Sequence, residues 1–481
     1  MPSGAGRAPH PASARRGRPS RKAQERSRVA QASPARAAAL EACRTVRERD
    51  AYAHEVIQAT IDRSSLSPED RAFATLLTLG VAATWGTLDE LVDRSLRSPD
   101  DVKDDVRDVL RISAYELLFL GKEPYAVVDQ GVELVRLVAP RAAGLGNAAL
   151  RAMVREAERF PFGDPETDDE ALARSLGFPS WLAARLIEDL GRPAARDLMR
   201  ASNDPAPLFV AENPLRAEAG EVTSELRRAK ARVERASAGG AAVEGCLRVE
   251  PARVLSDGRI RYLLERGKML VSDASSQRVA ALALPDKLPD SLLEIGAGRG
   301  TKTILLEVAA QRRFGAQIPV HATLDNHAFK TELLLRRVRE FGLETVEGLT
   351  GDARQLKKAV GGRTFDCVFI DAPCSGLGTL RRHPEIRWRL TPAHIADLAR
   401  TQLALLRQAA GAVAPGGQLT YATCTVTRQE NLDVVKAFLA SPEGAAFALA
   451  SIGGASCFAP ALAPGTPDAH FAVRFVRAAG K

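Results

Sequence analysis

The sequence predicts a multidomain protein in which an all-α N-terminal domain precedes an α/β domain with a doubly wound sheet. Apolar residues recur at helical spacing from about residue 37 to 165. From residue 290 onward, short apolar strands alternate with amphipathic helices, as a sheet covered on both faces requires. The 481 residues suffice for roughly three domains of ordinary size.

The first 36 residues differ in composition from the rest of the chain. They contain nine Arg or Lys residues and one acidic residue, Glu25, which accounts for the whole net charge of +8. Because this basic tail, residues 1–36, is rich in Ser, Pro and Ala and cannot form a core, we predict that it is disordered. It could bind nucleic-acid phosphates, act as a solubilising leader, or serve as an organelle transit peptide.

Residues 37–165 are predicted to form a small all-helical domain. In the segment 105–120, one apolar stripe contains Val106, Leu110, Ala114, Leu117 and Leu118. The polar segment 160–170, which is punctuated by two prolines and a glycine, indicates a domain boundary. Residues 166–285 then predict linker helices and a small mixed α/β subdomain.

The region 286–481 is predicted to carry the doubly wound sheet. Three residues with reactive or charged side chains follow buried strands of this region, namely Asp325, Asp371 and Cys424. Ligands of such sheets bind beyond the carboxyl ends of the strands. We therefore expect a functional site where these three residues meet.

A glycine-rich turn lies between the first strand and helix of this region. Gly296, Gly298 and Gly300 alternate along it, and Asp325 ends the next strand, where it could bind ribose hydroxyls. The turn could bind a dinucleotide or a nucleoside, or have a structural role alone. Asp352 is a third acid near this edge, although such a residue is more often a turn residue or helix cap.

No feature of the sequence predicts a membrane span, a secretion signal or a metal site. No apolar stretch approaches the ~20 residues that a membrane span needs. The six cysteines are scattered without metal-ligand spacing, which favours reduced thiols in a cytosol. We expect a cytoplasmic monomer with no bound metal.

Three segments carry a more specific pattern. Residues 371–388 read DAPCSGLGTLRRHPEIRW, residues 421–431 read YATCTVTRQEN, and residues 273–277 read DASSQ. In content and order these segments resemble the motifs of RNA cytosine-5 methyltransferases, and most closely those of the RsmB or Sun family of 16S ribosomal RNA methyltransferases. Residues 37–165 resemble the antitermination factor NusB, a helical RNA-binding fold.

The resemblance implies a NusB-like N-terminal domain, an RRM-like small subdomain and a class I, Rossmann-like methyltransferase domain that uses S-adenosylmethionine. It implies that Cys424 is the nucleophile that adds to carbon 6 of cytosine, and that Cys374 assists product release. It also implies that Asp371 faces the cytosine and the cofactor. DNA cytosine methyltransferases use the cysteine of a Pro-Cys motif instead, and that pattern would point to Cys374. Two small buried thiols without a catalytic role are the structural alternative.

The resemblance also implies the cofactor site, whose expected residues are Gly296, Ala297, Gly298, Arg299, Gly300, Thr301, Lys302, Asp325, Asp352 and Asp371. The family's loop usually reads Cys-Ala-Ala-Pro-Gly-Gly-Lys. Residues 296–302 keep its length and its lysine but lack the cysteine, the proline and one glycine. This loop therefore looks more like that of methyltransferases in general.

The basic segment after the first cysteine predicts an RNA contact. Phosphates and an extruded base need cations and a stacking surface, which here would be Arg381, Arg382, His383, Arg387 and Trp388. An ordinary solvated basic loop is the alternative. His383 could act as a general base, although a residue that fixes the loop is the simpler interpretation.

The expected partner is RNA, with 16S ribosomal RNA as the substrate that the resemblance implies. Two alternatives remain open at this point. One is the same chemistry on another RNA, such as transfer RNA. The other is a non-catalytic RNA-binding or antitermination factor, which the altered cofactor loop would favour and the cysteine pair would oppose.

Overall fold

The structure of the protein, a computed structural model, describes residues 32–480. Most of the predicted disordered tail therefore lies outside the described residues. Its last residues belong to the first helix, which begins at Pro34 and is capped by the hydroxyl of Ser33. Within the described range, no helix combines the length and the apolar character needed to cross a membrane.

Six helices form the N-terminal domain, and their bounds are α1 Pro34–Arg49, α2 Ala53–Asp62, α3 Pro68–Arg94, α4 Asp104–Leu118, α5 Pro124–Val138 and α6 Ala143–Ala157. Helix α4 lies at the centre of their common core. Val106, Leu110 and Ala114 are buried there, whereas Leu117 and Leu118 are half-buried, which confirms the predicted helical stripe.

Three linker helices follow, and then a four-stranded sheet with two further helices. Their bounds are α7 Asp169–Ser175, α8 Ser180–Leu190, α9 Arg192–Ala201, β1 Leu208–Glu212, α10 Glu221–Arg228, β2 Arg232–Ala238, β3 Ala241–Glu250, α11 Gly258–Glu265 and β4 Met269–Val271. The strand order is β2-β3-β1-β4, and every pair is antiparallel. One face packs on α10 and α11, while Phe209 and Ala211 on the other face pack into the core of the next domain. Phe209 is the only aromatic residue on the four strands, and because it is buried the sheet offers no open aromatic surface for stacking bases.

The last domain is a seven-stranded sheet with helices on both faces. Its elements are α12 Ala274–Ala283, β5 Ser291–Ile295, α13 Thr301–Phe314, β6 Val320–Asp325, α14 Ala328–Glu340, β7 Val346–Thr350, α15 Leu356–Ala359, β8 Phe365–Asp371, α16 Ile386–Arg389, α17 Pro392–Ala410, β9 Val413–Thr423, α18 Leu432–Leu439, β10 Phe447–Ala450 and β11 Phe471–Arg477. The order is β10-β11-β9-β8-β5-β6-β7. Strands β5 to β9 are parallel to one another, whereas β11 is antiparallel to both β9 and β10. The structure thus confirms the doubly wound sheet and adds the two antiparallel strands at one edge.

This topology brings the candidate residues to one edge of the sheet. The carboxyl ends of β6, β8 and β9 are occupied by Asp325, Asp371 and Thr423, with Cys424 directly after the last of these. In the register of β8 and β9, Asp371 lies opposite Ala422. Parallel neighbours therefore hold these chain segments side by side, as the sequence predicts.

A charged cluster is buried inside the same domain. His321 on β6 lies between two carboxylates, with its Nδ1 2.7 Å from Glu307 Oε1 and its Nε2 3.5 Å from Glu294 Oε2. The hydroxyl of Thr303 donates a hydrogen bond of 2.6 Å to Glu294. Burial alone would lower the pKa of His321, but the hydrogen bonds and charges of the two glutamates raise it to about 9. The imidazole is therefore a buried cation at neutral pH.

Candidate active site

Two cysteines meet beyond the ends of the central strands. Cys374 follows β8 after an Ala-Pro step, and Cys424 is the first residue after β9. Their Sγ atoms are 3.3 Å apart, and the backbone N–H of Cys424 donates to the Sγ of Cys374 over 3.3 Å. Both thiols are half-buried and free of disulfides. The pair is thus held by the parallel pairing of β8 and β9, with access from solvent.

The surroundings distinguish the two thiols. The hydrogen bond with Cys424 raises the pKa of Cys374 well above its usual value, and burial and the charge of Glu430 act in the same direction. Cys374 therefore keeps its proton at neutral pH. Its S–H can donate a hydrogen bond to the sulfur of Cys424, which lies 3.3 Å away.

A buried ammonium group faces the same edge. The Nζ of Lys302 lies 3.3 Å from Asp371 Oδ2, and only about 9% of the lysine is exposed. Burial lowers the pKa of Lys302, but the charges of Asp371 and Cys424 outweigh it and leave a net increase. Lys302 is thus a fixed cation that can stabilise negative charge on both the carboxylate and the sulfur.

A carboxylate that sequence reasoning missed joins the two cysteine loops. Glu430 is fully buried and accepts hydrogen bonds from the backbone N–H and the hydroxyl of Ser375, at 2.8 and 2.5 Å. It also accepts from the hydroxyls of Thr425 and Thr427, at 3.2 and 2.8 Å, and from the side-chain amide of Gln402, at 3.1 Å. Because Ser375 follows one cysteine and Thr425 follows the other, Glu430 fixes the spacing of the pair. The signal that could have found it is the Thr-x-x-Glu spacing of Thr427 and Glu430, which is typical of local capping.

The glycine turn lies against the end of β8. The backbone of Gly296 has a φ of +84°, and a Cβ added there would come within 2.4 Å of the carbonyl oxygen of Asp371. The N–H of Gly298 donates to Asp325 Oδ2 over 3.1 Å, and the N–H of His327 donates to Asp325 Oδ1 over 3.0 Å. Only a glycine at position 296 permits this close approach of the turn to β8. The two hydrogen bonds hold Asp325 beside the turn.

The remaining loop residues have different surroundings. Ala297 is buried, Arg299 is exposed, and the carbonyl of Arg299 accepts a hydrogen bond of 2.7 Å from Arg337. Gly300 precedes α13, which begins at Thr301. The predicted loop is therefore one continuous strand-to-helix turn, with its exposed positions at Gly296 and Arg299.

The sequence predicts that this turn holds S-adenosylmethionine, so Gly296→Ala is expected to weaken binding of that cofactor by about tenfold or more, since the new methyl group must displace the carbonyl of Asp371. Gly298→Ala is the matched control, because its φ is also positive but its added Cβ meets nothing closer than 3.9 Å. Calorimetric titration of both variants measures the difference. Equal affinities of the two variants would contradict the effect expected from the contact between Gly296 and β8.

Asp352 lies after β7 and caps a short turn. Its carboxylate accepts from the backbone N–H of Arg354 over 2.8 Å and pairs with the same guanidinium over 2.8 Å. The hydrogen bond to that side chain lowers the pKa of Asp352. This geometry matches the alternative role as a turn cap, and a contact with the cofactor stays a prediction.

A buried histidine next to the cysteine pair was not predicted. His470 directly precedes β11, whose first residue lies opposite Thr423 in the sheet register. Its Nδ1 is buried and has no hydrogen-bond partner among residues 32–480. Burial, with the charge of Lys302, lowers the pKa of His470 to about 4. A single histidine in an apolar stretch gives no sequence signal, because its position depends on the antiparallel edge of the sheet.

The basic segment after Cys374 contacts protein rather than solvent. Arg381 pairs with Asp468 over 3.0 Å, and both side chains are buried. Arg382 pairs with the same carboxylate over 2.6 Å and with Asp273 over 3.1 Å. The buried guanidinium of Arg381 is engaged in this ion pair, and the RNA contact predicted for it stays a prediction. For the half-buried Arg382 the RNA contact stays a prediction.

The end of the segment joins the helical regions to the catalytic domain. Arg387 is fully buried, with its guanidinium 4.0 Å from the ring centroid of Phe178 and 2.9 Å from Asn203 Oδ1. The indole N–H of Trp388 donates to the carbonyl of Ala83 in α3 over 2.9 Å. Because Arg387 is fully buried here, an RNA contact would require this packing to open, and the predicted contact stays a prediction.

The other two predicted RNA contacts remain accessible in part. The ring of His383 lies 4.9 Å from that of Tyr52, so the histidine packs against the helical domain. Burial lowers the pKa of His383, which keeps the ring neutral. His383 and Trp388 are both half-buried. An RNA contact for these two side chains stays a prediction.

The sheet is Rossmann-like, with a glycine turn after β5 and an acid, Asp325, at the end of β6. This combination defines the fold as that of a methyltransferase. Residues 281–455 match the family described as 16S rRNA methyltransferase RsmB/F, and residues 33–155 match the NusB family. The chain belongs to the RsmB/F family of RNA methyltransferases. This confirms the NusB-like N-terminal domain and the methyltransferase domain that the sequence predicts.

Similar proteins cover most of the chain. A probable ribosomal RNA small subunit methyltransferase B of Synechocystis is 31% identical over 83% of this chain and 87% of its own. A putative methyltransferase of Mycobacterium tuberculosis H37Rv is 33% identical over 84% and 86%. Among solved structures, PH0851 has a TM-score of 0.73 and 22% identity, and covers 91% of this chain and 97% of that one. NSun6 from Pyrococcus horikoshii, solved with SFG, has a TM-score of 0.51 and 16% identity over 63% and 99%. These two structures support the fold.

Proposed function

We propose that this protein methylates carbon 5 of a cytosine in RNA, with S-adenosylmethionine as the methyl donor. The observation that carries the proposal is the pair of thiols 3.3 Å apart, beside the carboxylate of Asp371 and the ammonium of Lys302. Carbon 5 of cytosine is a poor nucleophile until a thiolate adds to carbon 6. A chain that performs this chemistry needs one cysteine to add and groups that control the protons.

The residues of the glycine turn and of the neighbouring strand ends fit S-adenosylmethionine as the methyl donor. The glycine turn packs closely against β8 and stays exposed at Gly296 and Arg299. Asp325 lies beside the turn, where it can bind the ribose hydroxyls. Residues 296–302 with Asp325 and Asp371 would hold the cofactor. When bound, S-adenosylmethionine supplies an electrophilic methyl group.

Cys424 begins the reaction in this proposal. Its thiolate forms a bond to carbon 6 of cytosine, and the displaced electron pair makes carbon 5 nucleophilic. The carboxylate of Asp371 shares a proton with ring nitrogen 3, taken up from solvent when the cytosine binds, and this proton balances the charge that develops on the ring. Lys302 stabilises the thiolate before the attack, since its ammonium interacts with both Asp371 and Cys424.

Cys374 acts when the product leaves. After carbon 5 has gained the methyl group, a water molecule from solvent takes the proton from that carbon. The electron pair then reforms the double bond between carbons 5 and 6 and expels the thiolate of Cys424. The neighbouring S–H of Cys374 can donate to the departing sulfur across 3.3 Å, which favours release of the RNA.

The proposed substrate is the small-subunit ribosomal RNA. The support comes from the names of relatives such as the Synechocystis protein and from the NusB-like domain, which would supply an RNA-binding surface. Transfer RNA is the alternative substrate for the same chemistry. We further propose that the protein acts in the cytoplasm, as the sequence analysis predicts.

Release of the carbon 5 hydrogen tests the chemistry. We expect RNA made with 5-tritiated cytosine to lose one tritium to water for each methyl group transferred, with unmodified 16S ribosomal RNA as substrate. Transfer RNA and 23S ribosomal RNA, labelled in the same way, are the comparison substrates. Methyl transfer without tritium release would overturn the cytosine-5 proposal, and release from transfer RNA alone would overturn the proposed substrate.

A further inference from the structure

A cavity of about 420 Å³ lies between the small subdomain and the catalytic domain. Residues 242–245 of β3 form one wall, and helices α12 and α13 form another. Four arginines line it, namely Arg278, Arg312, Arg313 and Arg474. No residue of the candidate active site lines this cavity, so it is a separate feature of the molecule.

The charges around the cavity are not balanced. Its two acidic residues are Glu244, which is exposed, and Asp286, which is 96% exposed and pairs with Arg313 over 3.0 Å. Arg278 has no hydrogen bond or ion pair within the part of the chain that the structure describes, and burial alone lowers its pKa. Positive charge therefore predominates inside the cavity.

Two of the arginines are held in place by neutral groups. Arg312 donates to the carbonyl of Glu212 over 2.5 Å, and Arg474 donates to the carbonyl of Leu284 over 3.0 Å. The Nε–H of each guanidinium is buried and has no acceptor among the described residues. These contacts fix the position of the two charges without neutralising them.

The backbone leaves room for this arrangement. Gly245 has a φ of +68°, and a Cβ added there would come within 2.0 Å of the guanidinium carbon of Arg312. Any larger residue would push the arginine from its place. Glycine at this point of β3 is therefore a condition for the guanidinium to line the cavity.

Arg278, Arg312 and Arg474 are half-buried and form no ion pair with a carboxylate of the described residues, so an anion in the cavity would offset the desolvation cost of their charges. Guanidinium groups that converge on one space match the several oxygens of a phosphate group. We propose that this cavity binds a phosphate group. Its source is either the backbone of bound RNA or a free phosphate compound, and the site would act independently of methyl transfer.

Thermal unfolding of the full-length protein tests the site, with inorganic phosphate as the probe and sodium chloride of equal ionic strength as the reference. Phosphate is expected to raise the melting temperature of the wild type by roughly 2–4 °C. Arg278→Gln should lose this increase, and it should fold because its guanidinium makes no hydrogen bond in the described residues. Arg253→Gln, an exposed arginine of the same subdomain outside the cavity, is the matched control.

A second variant tests the cavity by adding a negative charge to it rather than removing a positive one. Ala281 lines the cavity on α12, so Ala281→Glu introduces a carboxylate where the phosphate would bind. This variant should melt at a higher temperature than the wild type without phosphate and should no longer respond to it. If phosphate stabilises the wild type and Arg278→Gln equally, or does not stabilise the wild type, the proposal is overturned.

Binding of a 16S ribosomal RNA transcript distinguishes the two sources. If the phosphate belongs to the RNA backbone, Arg278→Gln should weaken binding and reduce the salt dependence by about one phosphate contact. If RNA binding is unchanged while the phosphate effect is lost, the site binds a free phosphate compound. Either result can be obtained even if the proposed methylation of cytosine fails.

Discussion

Replacing Cys424 with alanine is expected to reduce methyl transfer by about 10³-fold or more and to prevent any covalent protein–RNA adduct. Replacing Cys374 with alanine is expected to have a different effect. The sulfur of Cys424 can still attack, but the S–H that faces it across 3.3 Å is absent when it must leave. The Cys374→Ala protein should therefore accumulate the adduct, which a denaturing gel detects as a band of reduced mobility.

Cys457→Ala provides the control for both variants, because Cys457 is also half-buried but lies outside the candidate site. Its activity should equal that of the wild type. If Cys374→Ala is the variant that forms no adduct, the two roles are reversed. That result would match the Pro-Cys pattern of DNA cytosine methyltransferases, and it would conflict with the raised pKa of Cys374.

The parts of the site that the sequence predicts are those set by short segments. A strand followed by glycines predicts the turn at Gly296, and strand ends predict the positions of Asp325, Asp371 and Cys424. Parallel strands carry their carboxyl ends to one edge, so local patterns are sufficient to bring these residues together. The structure brings these residues together as the sequence predicts, even though residues 296–302 differ from the loop that is usual in the family.

The parts that the sequence does not predict depend on partners far away in the chain. Arg387 and Trp388 look like a basic, aromatic surface, but their partners are 184 and 305 residues away in sequence. Tertiary packing decides whether a guanidinium meets RNA or a Phe178 ring, and no local pattern contains that information. The same reason applies to Glu430, whose role comes from joining two loops rather than from its neighbours in sequence.

The packing of this segment connects the candidate active site to the helical regions. The segment that follows Cys374 is the same segment that contacts the helical regions through Arg387, Trp388 and His383. The loop that carries Cys374 is therefore continuous in sequence with the residues that pack against the helical regions.

Replacing His321 with glutamine is expected to destabilise the protein by about 3 kcal/mol at pH 6, because two buried carboxylates lose the cation between them. The loss should depend on pH in a defined direction. The folded-state pKa of about 9 lies above the usual 6.5. The stabilisation by His321 is therefore fully present below pH 6.5 and declines as the pH rises through about 9.

Urea unfolding of the wild type and His321→Gln between pH 6 and pH 9.5 measures this decline as a shrinking difference between their free energies of unfolding. His394→Gln is the control, since His394 is exposed and should show a small difference at every pH. A difference between wild type and His321→Gln that stays constant with pH would mean that the ring is neutral in the folded protein. In that case the two buried carboxylates would lack a cation between them, and hydrogen bonds rather than an ion pair would account for the stabilisation.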